Sequence, residues 1–432
     1  TPPIDGYHLQ TTIDSKVQAI IERELNIAVA KYNPDGAIAI AVSPKTGEVL
    51  GMSSRPTFSP ENYQEVDQEV YNRNLPVWST FEPGSTFKII TLAAALEEES
   101  IDLNHDHFYD KGSIEVGGAR LRCWRGGGHG HQSYLEVVQN SCNPGFVNIG
   151  QMLGKETLFN YIEAFGFGQE TGIDLQGEGS GILFDLERVG PVELGTTSFG
   201  QGVSVTPIQQ VMAVAAAVNG GYLYQPFIAK AFIDPVTGEM VENTEPILKR
   251  QVISEETSEA IRYALESVVA EGTGRPAYVD GYRVGGKTGT AQKVGPDGRY
   301  MQNNYILSFI GFAPADDPEI VVYVAVDNPK GTTQFGGVVA APIVGTIIED
   351  SLRALGVPQR DDGLEKDYLW PEEPKVNVPD LIGLTKEELV TYMTNLSVEW
   401  SGSGNTIVDQ SPEPGTKVAP GSTIRIYLNN GR

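Results

Sequence analysis

The sequence predicts an α+β fold with one large domain and one smaller domain. The chain has 432 residues, which is more than one ordinary domain holds. Hydrophobic residues make up 40% of it, which is enough to bury a sizeable core and excludes wholesale disorder. The 49 glycines and 27 prolines indicate many turns, and the apolar residues follow the strand period in some segments and the helical period in others.

The elements of the large domain follow from these periods. The N-terminal patterns predict a strand over 8–13, a helix from its N-cap Asp14 to about Tyr32, hairpin strands over 37–43 and 48–53, and a loop over 54–80. Helical patterns begin after Pro83-Gly84 and recur at 135–140, 155–165, 206–219, 255–271 and 341–355, with strands at 282–293, 307–313 and 320–327. Residues 101–135 are irregular, and the glycines at 126–128 indicate a mobile loop.

The domain boundaries follow from the loss of periodicity. The large domain is predicted over 1–355, where its last helix ends. Residues 356–375 carry Pro, Asp, Glu and Gly without a period and predict a linker. Residues 376–432 predict a small module with a helix capped by Thr385 and Glu388, and with strands at 396–400, 406–411 and 422–428.

Charge and hydropathy narrow the classes of partner. The chain has 31 basic and 56 acidic residues and a net charge of −25, so it repels phosphate backbones and nucleic acid is not an expected partner. No run approaches the roughly 18 consecutive apolar residues of a membrane helix. The chain opens at Thr1 without a Met, which we interpret as trimming or processing, so an upstream anchor stays open.

The first candidate site is Ser85-x-x-Lys88. A spacing of three residues on a helix puts both side chains on one face. A buried lysine with a lowered pKa can take the proton of a nucleophilic serine, and N–H groups at the helix start can stabilise an oxyanion. A helix cap beside a solvated lysine is the ordinary alternative, but this is the only S-x-x-K in the chain and it follows Pro-Gly at a helix start.

The second candidate site is Lys287-Thr288-Gly289. A lysine on an edge strand can hold a substrate carboxylate while the strand backbone aligns a peptide, and the glycine lets a ligand approach closely. The chain repeats these letters at Lys45-Thr46-Gly47. That copy lies on the predicted hairpin turn, where such residues are ordinary turn chemistry, so we give it no catalytic role.

The third candidate site, Ser141-Cys142-Asn143, lies between the other two in sequence. A serine hydroxyl can relay a proton and an asparagine amide can hold a substrate carbonyl. The S-x-N pattern alone carries no weight, because Ser403-Gly404-Asn405 also fits it. The ordered set S-x-x-K, S-x-N and K-T-G is the signature already known for penicillin-binding proteins and class A β-lactamases.

At these residues the chain resembles a class B penicillin-binding protein, and within that family a sporulation-specific member. The similar segments are 71–74 (YNRN), 82–88 (EPGSTFK), 199–202 (FGQG), 205–207 (VTP) and 286–292 (GKTGTAQ). Residues 376–432, with VPDL at 378–381 and QSPEPG at 410–415, resemble one PASTA domain. The resemblance implies an antiparallel sheet flanked by helices in the large domain and an α+β PASTA module after it.

The resemblance also implies a role for each motif residue. Ser85 would be the acylated nucleophile and Lys88 its base, Ser141 would relay a proton and Asn143 would hold the acyl-side chain. The substrate carboxylate would bind to the K-T-G-T segment, Lys287, Thr288, Gly289 and Thr290. No glutamate matches the water activator of β-lactamases, so slow deacylation and inhibition by β-lactams are implied. The resemblance implies no cofactor.

The implied function is a peptidoglycan DD-transpeptidase on the extracytoplasmic face of the cell membrane, active in spore cortex synthesis. Its partners would be peptidoglycan stem peptides, β-lactams and a membrane glycosyltransferase. Two alternatives stay open: a DD-carboxypeptidase that passes the acyl group to water, and a non-catalytic sensor of β-lactams or muropeptides. The PASTA-like tail favours a synthesis enzyme over a small carboxypeptidase.

The two cysteines, Cys123 and Cys142, leave three alternatives: two buried small residues, a structural disulfide, or a redox switch. The extracytoplasmic location implied by the family permits a bridge. We favour the switch. If Ser141 and Asn143 face the substrate from an extended segment, Cys142 points away, and a bond to Cys123 would pull on the backbone that positions both. A thiol-disulfide oxidoreductase is then an implied partner.

Four of the five histidines form H-x-H pairs, His105 with His107 and His129 with His131. With the two cysteines they could form a zinc set, but the spacing fits no compact pattern. We therefore assign the histidines structural or surface roles and predict no metal.

Overall fold

The structure is a computed structural model that describes residues 6–295, 297–366, 376–391, 396–419 and 421–429. It divides into two units, Thr1–Lys366 and Asp367–Arg432. No helix of the described residues combines the length and the apolar character needed to cross a bilayer.

The helices lie mainly in the first unit. The α-helices are α1 (Ser15–Tyr32), α2 (Gln68–Tyr71), α3 (Leu75–Trp78), α4 (Lys88–Glu97), α5 (Tyr134–Gln139), α6 (Asn143–Leu153), α7 (Lys155–Ala164), α8 (Pro191–Thr197), α9 (Pro207–Val218), α10 (Glu255–Ala270) and α11 (Gly336–Ala354). Short 3₁₀ helices cover Pro60–Glu65, Gly84–Phe87, Leu186–Arg188, Arg275–Ala277 and Glu388–Thr391.

The strands form one large sheet and several small ones. They are β1 (His8–Thr11), β2 (Gly36–Val42), β3 (Val49–Arg55), β4 (His107–Asp110), β5 (Ser113–Val116), β6 (Ala119–Arg122), β7 (Gly130–Ser133), β8 (Tyr222–Tyr224), β9 (Ala229–Ile233), β10 (Met240–Asn243), β11 (Leu248–Gln251), β12 (Gly285–Val294), β13 (Tyr300–Ala313), β14 (Ile320–Asp327), β15 (Val376–Asn377), β16 (Ser397–Ser401), β17 (Ile407–Ser411), β18 (Lys417–Val418) and β19 (Thr423–Leu428).

The large sheet is antiparallel and has the order β12-β13-β14-β2-β3. Its central strands are apolar on both faces, because helices cover both sides. On one face Ala39 and Val324 pack in a core with α1 and α11. On the other face Ile40 and Tyr323 pack in a core with α4, α9 and α10. The predicted α+β fold, with an antiparallel sheet between helices, is confirmed.

Most of the long predicted elements are present. The hairpin, the helix capped by Asp14 and the later helices and strands agree with the patterns, and the Asp14 carboxylate accepts the N–H groups of Lys16 and Val17. Short elements differ: the predicted loop over 54–80 contains three short helices, and the irregular segment contains strands β4 to β7. Helix α6 was not predicted, although Pro144 lies in its first turn, a common start signal.

The segment predicted as the start of a linker belongs to the first unit, which continues past 355 to Lys366. Val357 O accepts the Tyr282 hydroxyl at 2.9 Å, and Arg360 N–H donates to Gly281 O at 2.8 Å. Individual hydrogen bonds and the ion pair between Arg360 and Asp316 hold this segment, and such contacts leave no periodic pattern in the sequence.

The second unit contains a three-stranded sheet of order β16-β19-β17 and the short pair β15-β18. Its small core includes Leu381, Ile407, Ile424 and Ile426. Thr385 and Glu388 pair as predicted, with Thr385 N–H donating to Glu388 Oε2 at 2.8 Å. Where this cap predicts a helix, the structure has a 3₁₀ helix over Glu388–Thr391, and residues 392–395 lie outside the described residues.

Candidate active site

Ser85 lies in the 3₁₀ turn Gly84–Phe87, which leads directly into α4. The turn packs against β12, and Gly84 adopts a φ of 56°, which favours glycine. The Ser85 side chain is half-buried, and no described residue hydrogen-bonds to its hydroxyl. The hydroxyl is therefore reachable and not engaged elsewhere in the described part of the chain.

Lys88 is the first residue of α4 and is completely buried. Its Nζ lies 2.7 Å from Asn143 Oδ1, 2.9 Å from Ser141 O and 3.2 Å from Ser141 Oγ. Burial lowers the pKa of Lys88 to about 7, although Cys142 and Cys123 act in the opposite direction. Near neutral pH the amine therefore exchanges protons readily, which the solvated-lysine alternative does not predict.

Ser141 lies in a tight turn between α5 and α6, with a φ of 52°. This corrects the expectation of an extended segment: the residue has a left-handed conformation that non-glycine residues rarely adopt. Cys142 occupies the N-cap position of α6 and is fully buried. The Asn143 amide donates to Arg122 O at 3.3 Å, so the turn is fixed on both sides.

Lys287 lies on β12, which is an edge strand of the large sheet, as the sequence predicts. Its side chain is completely buried and its Nζ donates to Ser141 Oγ at 2.7 Å. Burial lowers the pKa of Lys287 well below its usual range, and the charge of Lys88 lowers it further. The Ser141 hydroxyl thus joins the two lysines, and the structure brings all three motifs together.

The three residues that follow Lys287 make different contacts. The Thr288 hydroxyl lies 3.4 Å from that of Thr273, a residue that no sequence pattern singled out. Thr290 Oγ1 accepts the N–H of Gly336 at 3.1 Å. A Cβ on Gly289 would collide with the Ser308 hydroxyl and press on Thr86, so this glycine permits packing against the Ser85 turn. That is a contact within the protein, and the close approach of a ligand that the sequence predicts at Gly289 stays a prediction.

The Lys45-Thr46-Gly47 copy is remote from this site. It lies in the turn between β2 and β3, where Lys45 pairs with Asp317 at 2.9 Å and with Glu319.

The cysteines lie beside the Ser141 turn and are both unbonded thiols in the structure. Cys123 Sγ lies 3.4 Å from His129 Nδ1, and Cys142 Sγ donates to Asp110 Oδ2 at 3.4 Å. Hydrogen bonding to Cys142 lowers the pKa of the Cys123 thiol, whereas hydrogen bonding to Cys123 and burial raise the pKa of the Cys142 thiol. Cys123 is therefore the thiol that ionises first.

Sequence reasoning missed Asp110, and it did not separate His129 from the other histidines. His129 Nδ1 lies 2.9 Å from Asp110 Oδ2, and both side chains are buried. His105, His107 and His131 are exposed, in agreement with a surface role. Burial would raise the pKa of Asp110, but hydrogen bonds from Cys123, His129, Gly112 and Cys142 outweigh it and lower the pKa to about 2.

Among the glycines at 126–128, where the sequence predicts a mobile loop, Gly128 has a packing role. Gly128 has a φ of 79°, and a Cβ there would collide with Asp110 O and Gly112 N. The close approach of these backbones brings His129 to Asp110, whose Oδ2 accepts the His129 backbone N–H at 3.0 Å. Gly126, in contrast, has open space around it.

Sequence comparisons agree with this fold and motif arrangement. Residues 37–349 match the penicillin-binding protein transpeptidase domain, and residues 376–430 match the PASTA domain. The chain therefore belongs to the penicillin-binding protein transpeptidase family, and its resemblance to class B members is confirmed.

Among curated relatives, the chain is 69% identical to Stage V sporulation protein D of Bacillus subtilis over 428 residues, which cover 99% of this chain and 66% of that protein. It is 34% identical to the peptidoglycan D,D-transpeptidase FtsI of Escherichia coli K12 over 358 residues, which cover 82% of this chain and 57% of that one. The chain thus spans less than two thirds of the length of these relatives.

Solved structures give the same family. Penicillin-binding protein 3 of Mycobacterium tuberculosis in complex with aztreonam is 29% identical, with a TM-score of 0.76 over 84% of this chain and 83% of that one. The transpeptidase domain of penicillin-binding protein 3 from Burkholderia pseudomallei is 32% identical, with a TM-score of 0.70 over 81% of this chain and 97% of that one.

Proposed function

We propose that the protein is a serine DD-transpeptidase that cross-links peptidoglycan stem peptides. The observation that carries the proposal is the Ser141 hydroxyl, which lies within hydrogen-bonding distance of both buried lysines and joins three motifs beside Ser85. The 69% identity to a sporulation protein supports a role in spore cortex synthesis.

In the proposed acylation, the Ser85 hydroxyl attacks the carbonyl carbon of the penultimate D-Ala of a stem peptide. Lys88 takes the hydroxyl proton, a transfer that its lowered pKa favours near neutral pH. The oxyanion of the tetrahedral intermediate would be bound by the backbone N–H groups of Ser85 and Thr290. The peptide C–N bond then breaks, Ser141 passes a proton to the leaving amine, and D-Ala departs from an acyl-Ser85 ester.

Substrate binding would use the edge strand β12 and the Ser141-Cys142-Asn143 segment. Lys287, Thr288 and Thr290 would hold the terminal carboxylate, with Gly289 keeping β12 close to the Ser85 turn, and Asn143 would hold the acyl-side chain. An amine of a neighbouring stem peptide then attacks the ester, forms the cross-link amide and restores Ser85. A β-lactam would acylate Ser85 by opening its ring, so its amine stays attached.

The proposal extends to location and partners. We place the protein on the extracytoplasmic face of the cell membrane, with a membrane glycosyltransferase as the partner that supplies glycan strands. A DD-carboxypeptidase is the second candidate function, and product analysis separates the two. With a donor peptide and an acceptor amine, a transpeptidase forms the joined peptide, whereas a carboxypeptidase forms only the hydrolysed donor.

The direct test is intact-mass spectrometry after incubation with penicillin. Wild type should gain one penicillin mass, mapped to the tryptic peptide 74–88, and Ser85→Ala should gain none. An adduct that persists in Ser85→Ala, or that maps to another peptide, would contradict the assignment. A sensor without transpeptidase activity would acylate normally but form no joined peptide.

The cysteines form a further part of the proposal, as a redox switch. A thiol-disulfide oxidoreductase would accept the two electrons and two protons when Cys123 and Cys142 form a disulfide, and return them on reduction. A disulfide is about 2.05 Å long, so closing it would draw the two Sγ atoms out of their present contacts and, in this proposal, pull on the backbone that carries Ser141 and Asn143. A misplacement of about 1 Å can slow a reaction by about 10²-fold.

Fluorescent-penicillin labelling measures this switch. The reduced protein and Cys123→Ser should label at similar rates, and the oxidised protein should label more slowly. Equal labelling of all three would leave the cysteines a structural or inert role.

A further inference from the structure

A cavity with mostly apolar walls lies beside the Ser85 turn. Its volume of about 320 Å³ is near the lower end of the range for ligand sites, so it fits a side chain better than a whole peptide. Glu82, which precedes the Ser85 turn, and Ala291, which follows Thr290 on β12, both line it. The turn packs on this wall, since a Cβ on Gly84 would lie 3.3 Å from Ala291 Cβ. The cavity therefore shares its walls with the candidate active site.

The floor of the cavity is a row of cross-strand partners on the large sheet. Successive partners on β12, β13, β14 and β2 form this row, and all of them line the cavity: Ala291, Ile306, Asp327 and Gly36. Directly opposed residues on neighbouring strands share one face of a sheet, so the Asp327 side chain lies on the same face as that of Ala291. The row covers three strand spacings, about 14 Å in total, which is long enough for an extended amino-alkyl side chain.

The charged groups of the cavity leave one carboxylate oxygen without a donor. Lys293 Nζ pairs with Asp327 Oδ2 at 2.8 Å, whereas Asp327 Oδ1 is buried and has no hydrogen-bond partner among the described residues. The other carboxylate, Glu82, accepts two neutral donors, the N–H of Gly202 at 2.8 Å and the hydroxyl of Tyr300 at 3.1 Å. Burial raises the pKa of both carboxyl groups, so a further positive charge would stabilise their ionised forms.

The reaction proposed above supplies a group with this charge. An amine of the acceptor stem peptide attacks the acyl ester, and the donor and the acceptor are stem peptides of the same polymer. The donor therefore carries the same amine on one of its own side chains. That side chain needs a place near Ser85 while the donor is acylated, and it combines an apolar stem with a cationic end.

We propose that this cavity binds the amine-bearing side chain of the donor stem peptide, with its ammonium group donating to Asp327 Oδ1 and facing the Glu82 carboxylate. This inference rests on the function proposed above. The apolar walls would pack against the methylene groups, as they do around the stem of a buried lysine. An ammonium group held between carboxylates stays protonated and is not a nucleophile. The cavity would thus keep the donor's own amine from attacking the ester that is meant for the acceptor.

The test compares two donor peptides on the full chain. One is Nα-acetyl-Lys-D-Ala-D-Ala, which has a free side-chain amine, and the other is the same peptide acetylated on that amine as well. Release of D-Ala gives kcat/KM for each. Wild type should prefer the free amine by at least about tenfold, because acetylation removes the charge from a hydrogen bond to a carboxylate. Equal values for the two donors would overturn the inference.

Asp327→Asn tests the partner of the amine, since it removes the charge and nearly keeps the shape of the side chain. The ratio of the two kcat/KM values should fall to about one. Asp35→Asn is the matched control: Asp35 is an exposed carboxylate at the same end of the sheet, it pairs with Lys330, and it does not line the cavity. It should keep the wild-type ratio. A general loss of activity cancels in this ratio, and a full preference in Asp327→Asn would overturn the inference.

Benzylpenicillin separates this inference from the function on which it rests, because it acylates the serine without carrying a side-chain amine. If it labels Ser85 and the free-amine donor has no advantage, including the case in which neither peptide reacts, the cavity does not bind the donor amine although acylation stands. If benzylpenicillin does not label Ser85 and neither peptide reacts, the proposed function fails and the inference fails with it.

Discussion

The hydroxyl of Ser141 lies between two amines that are both completely buried. Two ammonium groups this close repel each other and lose hydration, so at least one amine is neutral near neutral pH. The pKa of Lys88 is about 7 and that of Lys287 is well below its usual range. A single hydroxyl can then accept a proton from one lysine and donate to the other, as a relay requires.

This arrangement predicts how acylation depends on pH. A general base acts only when it is unprotonated, so the second-order rate of penicillin acylation should rise as pH increases through about 7 and level off above it. Stopped-flow or gel-based labelling from about pH 5 to about pH 9 measures the profile. A rate that is flat across this range would contradict the role of Lys88 as the base.

Removing the amine gives a complementary prediction. Lys88→Ala should acylate at least about 10²–10⁴-fold more slowly, because the base is lost, and its pH profile should lose the rise near 7. Circular dichroism checks that the variant remains folded, since the substitution also unpairs Ser141 O and Asn143 Oδ1. Lys45→Ala removes the lysine of the duplicate motif and should acylate at the wild-type rate.

The sequence alone predicts those site residues that lie close together along the chain. Ser85 and Lys88 lie three apart on one helical turn, so their proximity follows from the helix. The Ser141 hydroxyl reaches both lysines because Ser141 lies in a left-handed turn, and the residue types in Ser-Cys-Asn do not predict that turn. Asp110 and His129 meet Cys142 only through tertiary packing, so their separation in sequence gives no sign of these contacts.

At the scale of elements, the strands β4 and β7 and the glycine-rich loop before β7 bring Asp110 and His129 together. The strands pair antiparallel, with Asp110 opposite Gly130, and Gly128 folds the loop against Asp110. The sequence missed both strands because each is only four residues long and mixes polar and apolar residues without a regular period. A half-buried strand alternates in polarity, and these do not.

Replacing Gly128 should therefore affect stability and acylation more than replacing Gly126. Gly128→Ala adds a Cβ that collides with Asp110 O at a backbone conformation disfavoured for alanine, so it should lower the unfolding midpoint and slow acylation by displacing the Ser141 turn. Gly126→Ala has open space and should leave both unchanged. Thermal unfolding and penicillin labelling of the pair measure this. Equal behaviour of the two variants would mean that the loop does not position the site.

At the scale of the whole molecule, all motif residues and the hydrogen-bond partners described for them lie in the first unit. The second unit has its own sheet and core. The sequence pattern predicts two domains, because the tail has its own helix cap and short strands after a stretch without periodicity. The same pattern puts the end of the first domain at 355. The structure continues the first unit to Lys366, because the segment after the last helix is held by individual contacts that leave no periodic pattern.

Two truncations distinguish these boundaries. A chain ending before Pro371 should fold and acylate like wild type, because it keeps the first unit whole. A chain ending at Leu355 loses the bonds from Tyr282 to Val357, from Arg360 to Gly281 and from Tyr278 to Leu364. A typical hydrogen bond contributes about 1 kcal/mol, so their loss should lower the unfolding midpoint measurably.

Loss of acylation in the chain that ends before Pro371, with native circular dichroism, would mean that the second unit is required for the site. Equal midpoints for the two truncations would mean that residues 356–366 do not stabilise the first unit.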